Sequence, residues 1–596
     1  MKKNIESSHS GFYVNVLKFI IVTMIFLRPF FDGFSSPAFN HTYNLAFFTL
    51  LPVCIFVMKK NLTFTYPLLC FLIFTIMCLA FVPLWPAWTT TIKQFPYFFS
   101  LLTTWFLFKI VFEEKDISCV TSIFLCSMVL IMIYGIHQYF WGLEATRQTI
   151  LQHPELIDNI SDTYMDRIAS NRIFSTFVYP NTFAGYLLML YPVVFFYLFS
   201  QTSISLKILT GIVLITLLPV LAATESMGGW FCFIIVSILM LMYFVIPKKY
   251  YLYFCFFFFI ILILLAYHGF TSGVMPKFGS LIDRINYWSS GMQIFKNHPF
   301  TGVGPGNFSQ FYLRFKIPGA MEAKFAHNLI VEILVCTGLV GLVVFVTTAF
   351  FFIKENLHNF LFPKNQLIAG YIFGMTGFLL HSLIDFDYAN VAVTCILFAF
   401  AGLVESYSGT QNIKSKTLTK SLAGIIIIVM PIALVLEYKT WQVENILENI
   451  KRGKSNNPIQ VLEQASNIFP EPEIFFIEGE IFRFAYQETR NIEFAERAVD
   501  AYKKAIEMNP LVPLYHKMLA RLFVELGKND DAEKEFLQVI NLYPSKALYN
   551  IEIGEFYKKI GNEKLAKIYL EKGLNLPASS KDEARTIKEY KDGKDF

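Results

Sequence analysis

Four side chains of this sequence have the chemistry to move a group at a membrane surface: Arg172, Arg284, Arg314 and His327. Each stands at or near the end of an apolar run. A guanidinium fork pairs bidentately with phosphate oxygens and never deprotonates near neutral pH, so two or three arginines converging there suit a lipid-linked phosphate or pyrophosphate. A histidine titrates close to neutral pH and is able to take a proton from an attacking hydroxyl. The combination points to group transfer with a phosphorylated leaving group. Taken singly, each residue also has a plainer reading. Arg172 or Arg284 equally suits an interfacial anchor reaching for headgroups, and His327 suits a capping or packing residue at a helix start. The run Gly302-Val303-Gly304-Pro305-Gly306 suits a turn, because glycine adopts positive φ without steric cost. It is not a nucleotide phosphate loop, since no Gly-Lys-Ser/Thr follows. The functional reading draws its weight from the joint placement.

The stretch Arg284 to Asn328 is a polar island between long apolar segments. Polar backbone is costly inside lipid, so the island is a solvated loop, a functional cavity, or both. The rest of the chain explains why it stands out. With 55% hydrophobic and 17% aromatic residues, 65 of them phenylalanine, and 16% charged, the composition is that of an integral membrane protein. The predicted fold class is all-α: a polytopic helical membrane protein of about 12–13 spans with large outer-face loops and a C-terminal helical repeat domain. Expected spans are about 12–31, 43–58, 64–84, 94–112, 117–140, 181–200, 205–223, 227–246, 249–268, 327–353, 366–384, 387–404 and 421–437. The first apolar run passes through Arg28-Pro29 without a small-residue cleavage site, so it is read as a span and not as a cleaved signal. The nine cysteines fall almost entirely within apolar runs and show no metal-ligand or redox spacing, which makes them helix-packing residues.

Short loops rich in lysine and arginine belong on the cytoplasmic side. Starting inside with Lys2-Lys3, alternate loops carry Lys59-Lys60, Lys115, Lys207, Lys248-Lys249, Lys354 with Lys364, and Lys414, Lys416 and Lys420. All fall on one side. The long polar loops, about 141–180 and 269–326, are then expected on the outer face. An odd number of spans places the region after Leu436 outside as well.

That region changes character. Pro510 and Pro544 are 34 apart, as are Tyr515 and Tyr549, Ala520 and Gly554, Gly527 and Gly561, and Ala532 and Ala566. This period resembles tetratricopeptide repeats, and a degenerate earlier copy runs through Ala498, Tyr502 and Pro510. Each unit buries its apolar face only by stacking on neighbours, leaving a surface for a peptide or protein partner. The expected domains are 1–437, membrane-embedded, and 438–596, the repeats.

Further polar residues stand at membrane boundaries: Arg28 with Asp32, spaced to pair at i and i+4, Lys93, Glu225, and His381 with Asp385 and Asp387. Ionisable groups at such depth default to functional candidates.

The pattern Arg284…Trp288…Pro299-x-x-Gly302-Val303-Gly304-x-Gly306-x-Phe308…Ala326-His327-Asn328, followed by Glu332 and Gly338-x-x-Gly341, resembles the O-antigen ligase and polymerase superfamily. Arg172…Ser175…Phe177…Pro180-Asn181…Ala184 and His381-Ser-Leu-Ile-Asp385 fit the same pattern. The resemblance covers roughly residues 15–405. It implies an inverting glycosyltransferase in the cytoplasmic membrane that moves a glycan from undecaprenyl pyrophosphate to an acceptor on the outer face, with no metal or other cofactor. By that resemblance His327 is the base, and Arg172 and Arg284 clamp the pyrophosphate. Asn328, Gly302, Gly304, Glu225 and Asp385 support them. One position departs from the pattern, because Met227 stands where the superfamily commonly has arginine. Lys93, Arg28 and Arg314 are the replacements the sequence offers. The two long outer loops, about 141–180 and 269–326, carry no Asp-x-Asp pair, which agrees with a metal-free route.

The partners expected are the lipid-linked glycan, membrane lipid, an acceptor that is lipid, glycan or protein, and a protein at the repeats; nucleic acid is not among them. A ligase, a polymerase and a protein O-glycosyltransferase all fit. A transporter or envelope scaffold is the rival from another class; it would more typically show broken helices in two matching halves.

Overall fold

The computed structural model describes residues 2–31, 37–58, 62–153, 168–272, 279–408 and 412–593. Among them the regular structure is helical throughout. Ten helices are long and apolar enough to cross a membrane, and Tyr66–Ala80 and Gln366–His381 are shorter apolar helices. The remaining expected span, 94–112, corresponds to the helix Gln94–Val111. Lys59-Lys60 of the charge census, and Asp32 of the expected Arg28–Asp32 pair, lie outside the described residues.

The chain divides into two compact units that alternate along it. The first comprises Met1–Leu72, Pro96–Ser272 and Phe345–Leu434; the second comprises Ile73–Phe95, Gly273–Val344 and Val435–Phe596.

In the first unit the helices Pro180–Ser200 and Val391–Ser408 form the centre, each 78% buried over its most apolar stretch, whereas Lys248–Gly269 is 6% buried and turned outward. Pro180–Ser200 packs most extensively on Gln366–His381. Lipid is as apolar as leucine, so helices in a membrane associate by close packing of small residues. Gly374 does this: a Cβ there would stand 2.2 Å from the Met189 carbonyl oxygen, and one at Gly370 would stand 3.3 Å from that of Pro192.

The second unit joins the polar island to the repeats. Helices Pro472–Thr489 and Ile492–Met508, Pro513–Glu525 and Asn529–Leu542, and Ala547–Lys559 and Glu563–Asn575 form three hairpins, followed by Lys581–Lys591. Tyr502, Ala520, Phe523, Ala532, Phe536, Phe556, Tyr557 and Ala566 build their common core, so the 34-residue spacing of small residues marks helix crossings. Gly527 and Gly561 end the first helices of the later hairpins at φ 71° and 79°. In the degenerate first hairpin Arg490 takes that role at φ 56°, a costlier residue for a helix end that needs the left-handed conformation.

Two outcomes are expected from this packing. Gly374→Ala forces two helix backbones apart and costs about 1–3 kcal/mol as an overpacked contact; an unchanged thermal midpoint in detergent would contradict the close approach. The second concerns Lys316, which is buried in the second unit. Burial pushes its pKa down to about 8, against the opposing pull of Glu322 and Glu583 and with the help of Lys546. Below about 8 the ammonium is charged in folded and unfolded chains alike, and its burial is a standing cost. Between about 8 and the usual 10.5, only the unfolded chain keeps the proton, so this residue's contribution makes stability rise with pH across that window. Thermal unfolding of wild type and Lys316→Met across that range checks this: the substitution should remove that component of the rise.

Candidate active site

The helix Leu329–Leu361 is broken at Gly338, where φ is 64° and ψ is −166°. The sequence suggested one continuous span there. A break leaves carbonyls without partners before it and amides without partners after it, and both sets are met by the glycine run. Val303 N donates to the Val335 carbonyl at 3.0 Å and Gly304 N to that of Cys336 at 2.8 Å. In return Leu339 N donates to the Pro299 carbonyl at 2.8 Å and Val340 N to that of Phe300 at 3.2 Å. The fit requires glycine on both sides. A Cβ at Gly302 would lie 2.5 Å from the Val335 oxygen, and one at Gly338 would lie 2.2 Å from the Phe300 oxygen. Gly302 and Gly304 therefore frame the site through their backbones. The turn before Gln94 closes over them: Trp85 Nε1 donates to the Gly302 carbonyl at 3.2 Å, and Asn307 Nδ2 donates to Thr91 Oγ1 at 3.0 Å and to the Val303 carbonyl at 2.9 Å.

His327 precedes the unbroken half of that helix. Asn328 caps it, its Oδ1 accepting from Ile330 N at 2.9 Å and Val331 N at 3.0 Å. Glu332 reaches back to accept from Ala326 N at 2.7 Å, while the Ala326 carbonyl accepts from Trp288 Nε1 at 3.1 Å. Between these fixed neighbours His327 has φ 51°, a left-handed conformation uncommon outside glycine and costing of order 1–3 kcal/mol. Its half-buried ring lies against Tyr287, with centroids 5.3 Å apart. Burial first, and then Asp283, push the Tyr287 phenol up to about 12 against the opposing Arg284, so it stays neutral beside the imidazole.

The expected cations of this unit are distributed as follows. Arg284 sits half-buried on the helix Gly279–Asn297, one turn before Tyr287, and its NH1 donates to the Ser280 carbonyl at 2.9 Å. Arg314 is exposed in the last turn of Phe308–Phe315, near His298, whose pKa is lowered by burial and then by Arg314. Lys93 lies in an ion pair with Glu471 at 2.5 Å, with Glu444 at 3.9 Å.

In the first unit Arg172 belongs to a polar network. Its Nε donates to the Thr224 carbonyl at 2.9 Å and its NH2 to Asn181 Oδ1 at 2.8 Å. Asn181 Nδ2 donates in turn to the buried Asp385 at 2.6 Å. His381 Nδ1 and Asp387 Oδ2, both buried, are 2.5 Å apart, and a Cβ at Gly185 would overlap Asp387. Ile173 N donates to the Ala223 carbonyl at 3.0 Å, which binds the arginine's strand of chain to the turn holding Glu225. Glu225 itself is exposed at φ 50°, and Met227 is exposed two residues on. Arg28 is fully buried; it donates to the Phe31 carbonyl at 2.8 Å and to Asn40, under the rings of Tyr43 and Phe39 at 5.1 and 5.5 Å. Thr176 Oγ1 donates to the Pro29 carbonyl at 2.7 Å, so the loops of Arg28 and Arg172 touch.

Ser175, in the same loop, has φ 53°. Its amide and that of Phe174 both donate to Gln138 Oε1 at 2.8 Å, and its hydroxyl donates to the Ile131 carbonyl at 2.7 Å. Gln138 opens a π-helical turn, Gln138–Gly142, of the kind that often marks a functional position. It escaped the reading of the sequence, although a lone amide ending an apolar run was the signal. Arg147, which donates to the Ile168 and Ser170 carbonyls at 2.7 and 3.0 Å, was missed likewise. With the Arg490 helix end explained, the other three described non-glycine residues at positive φ are Ser175, Glu225 and His327.

Residues 212–346 match the family described as O-antigen ligase, and residues 547–579 match a tetratricopeptide repeat. No curated protein matches the chain. The first match contains Glu225, Arg284, the glycine run, Arg314, His327, Asn328 and the Gly338 break, and the second falls within the repeat region. The chain is thus a multi-pass helical membrane protein that matches the O-antigen ligase family over residues 212–346 and carries tetratricopeptide repeats in its C-terminal region.

Proposed function

We propose that this protein is a glycosyltransferase that moves a glycan from undecaprenyl pyrophosphate to an acceptor hydroxyl on the outer face of the cytoplasmic membrane. The observation that carries the reading is His327: an imidazole held in a strained backbone by Trp288, Asn328 and Glu332, inside the segment that matches the O-antigen ligase family. Strain that its surroundings over-determine is a mark of function. In the proposed reaction the acceptor oxygen attacks the anomeric carbon from the face opposite the diphosphate. The new C–O bond forms as the bond to the phosphate oxygen breaks, with inversion. His327 takes the acceptor's proton, and Arg172 and Arg284 stabilise the charge that develops on the departing diphosphate. Arg314 adds to the positive field around the donor.

A ligase transferring to lipid or to a protein is favoured over a polymerase by the repeat array, which offers a polypeptide surface. Accumulation of free lipid-linked polymer in a deletion strain supports that choice, and accumulation of single repeat units supports the polymerase. The Gly338 break gives a transporter its one structural argument; its backbone groups, however, are taken up by residues 299–304 and not left to line a path. Release of undecaprenyl pyrophosphate separates enzyme from transporter.

His327→Ala is expected to lower transfer from purified lipid-linked donor in detergent by about 100-fold or more, the usual scale for a general base; unchanged transfer overturns the assignment. Arg172→Lys keeps the charge but loses the fork that joins Thr224 and Asn181. It should raise the donor KM about tenfold, as for one lost bidentate contact, and an unaltered KM removes Arg172 from the donor site.

A further inference from the structure

The repeat array meets the polar island through one recurring feature. Its polar contacts come from the loops that join successive hairpins and from the segment that opens the first, beside packing of Phe308–Phe315 on Asn529–Leu542. Glu471, before the first hairpin, takes Lys93, which lies outside the island in the segment that covers its glycine run. Leu511, between the first and second, packs on the apolar cluster of Tyr287, Phe308, Tyr312 and Val335. From the next loop Tyr543 and Lys546 both donate to Glu322 Oε1, at 2.8 and 2.9 Å. From the last, Ser579 accepts from Lys316 Nζ at 2.8 Å, and Pro577 stands 3.1 Å from where a Cβ of Gly319 would be. These loops recur at the repeat period, so they form one edge of the array. The array builds that edge deliberately: His516 Nε2 contacts the Pro510 carbonyl at 3.2 Å, and Asn550, 34 residues on, donates to the Pro544 carbonyl at the same distance.

The segment this edge grips is the one that matters to His327. Residues 316–326 run without helix from the end of Phe308–Phe315 to His327. Tyr312, donating to the Met321 carbonyl at 2.9 Å, and Trp288 hold the segment from within the island. Lys316, Gly319 and Glu322 hold it from the array. Burial disfavours the Glu322 carboxylate, yet Lys546 and Tyr543 overcome this and keep its pKa below the ordinary value, so the contact to the array is charge-assisted. Lys546 is shared with the buried Glu583 at 3.8 Å, which accepts from Ala547 N and Ser579 N at 3.0 and 2.7 Å. Glu583 thus joins the two gripping loops to each other.

We propose that the inter-repeat loops form an internal docking edge that sets the position of His327, with Lys316, Glu322, Tyr543 and Lys546 as positioning residues. The array is then part of the machinery for transfer, whatever else its helix faces bind. The kinetic part of this inference rests on the glycosyltransferase reading; the docking part does not.

Hydrogen–deuterium exchange of the full chain in lipid nanodiscs, alongside transfer from purified lipid-linked donor, tests both parts. Glu322→Ala should speed exchange across 316–328 about tenfold, as for local opening of a tethered segment, and lower kcat about tenfold with little change in donor KM, the pattern of a misplaced group and not of lost binding. Tyr543→Phe, which removes a single hydroxyl and leaves the fold intact, should move both readouts the same way by less. Because the two act through one contact, the double variant should be no worse than Glu322→Ala alone. Exchange across 316–328 that is unmoved by Glu322→Ala overturns the docking, as do strictly additive effects. Faster exchange with kcat intact overturns the positioning role. If His327→Ala proves active, the reaction assignment fails, and the exchange arm still decides whether the edge grips the loop.

Discussion

An apolar medium offers no partner to a bare amide or carbonyl, and each one left unmet costs several kcal/mol. The Gly338 break exposes such groups at both of its ends, and the structure around His327 follows from how they are satisfied. Only a chain lying backbone to backbone against the break can meet both ends, which is why the Pro299–Gly304 run is glycine-rich and why it approaches within what a Cβ would occupy. Once docked, that run must itself be held. Trp85 and Asn307 do so, Asn307 through Thr91. The break also shortens the first half of the helix to Leu329–Thr337, so the Asn328 cap and His327 stand only about two and a half turns from the plug, at 3.6 residues per turn. A rigid plug on one end and a side-chain cap on the other leave the imidazole little freedom.

The strained residues show the same logic on a smaller scale. A left-handed backbone at a non-glycine residue persists only where neighbours enforce it. At Ser175 the enforcer is Gln138, whose one carbonyl oxygen receives two successive amides. At His327 the enforcers are Glu332 on the amide before it and Trp288 on the carbonyl before it. Glu225 follows a turn locked by its amide to the Ala222 carbonyl and by Thr224 Oγ1, which accepts from Ser226 N. Three loops from different parts of the chain thus hold one strained residue each.

Much of this was legible in the residues themselves. Apolar runs of spanning length marked the helices, and the 34-residue recurrence of proline, glycine and alanine marked the hairpins, because both patterns are periodic consequences of burial. The polar island stood out since charge is rare in such a chain. What escaped is what depends on contacts distant in sequence. Glycine at 302 and 304 reads as a turn until the break that it fills is seen, and Gly338 reads as one more small residue in a span. Lys93 reads as a boundary cation until Glu471, far along the chain, is found beside it. Lys316 and Glu322 carry no local pattern at all; their roles exist only in the folded chain.

The same distant contacts constrain which helices can cross, because two segments that touch outside a membrane are separated by an even number of crossings. Between Lys93 and the island lie the helices Gln94–Val111, Ile117–His137, Pro180–Ser200, Ile204–Ala223, Met227–Val245 and Lys248–Thr271. Lys93 and Glu322 both bind the repeat array, and five of these six are long and apolar, so an even number of crossings requires Gln94–Val111 as the sixth. Between Glu322 and Lys546 lie Leu329–Leu361, Gln366–His381, Val391–Ser408 and Lys416–Lys451. Their contact requires the short Gln366–His381 to cross with the other three. Ile413 N donates to the Phe64 carbonyl at 2.8 Å, and with the others fixed, that bond is compatible only with Tyr66–Ala80 crossing as well. The three helices whose length and composition leave the question open are thus constrained by hydrogen bonds and ion pairs far from them in sequence. The array and the His327 loop belong to one compact unit, joined by the contacts of Lys316 and Glu322.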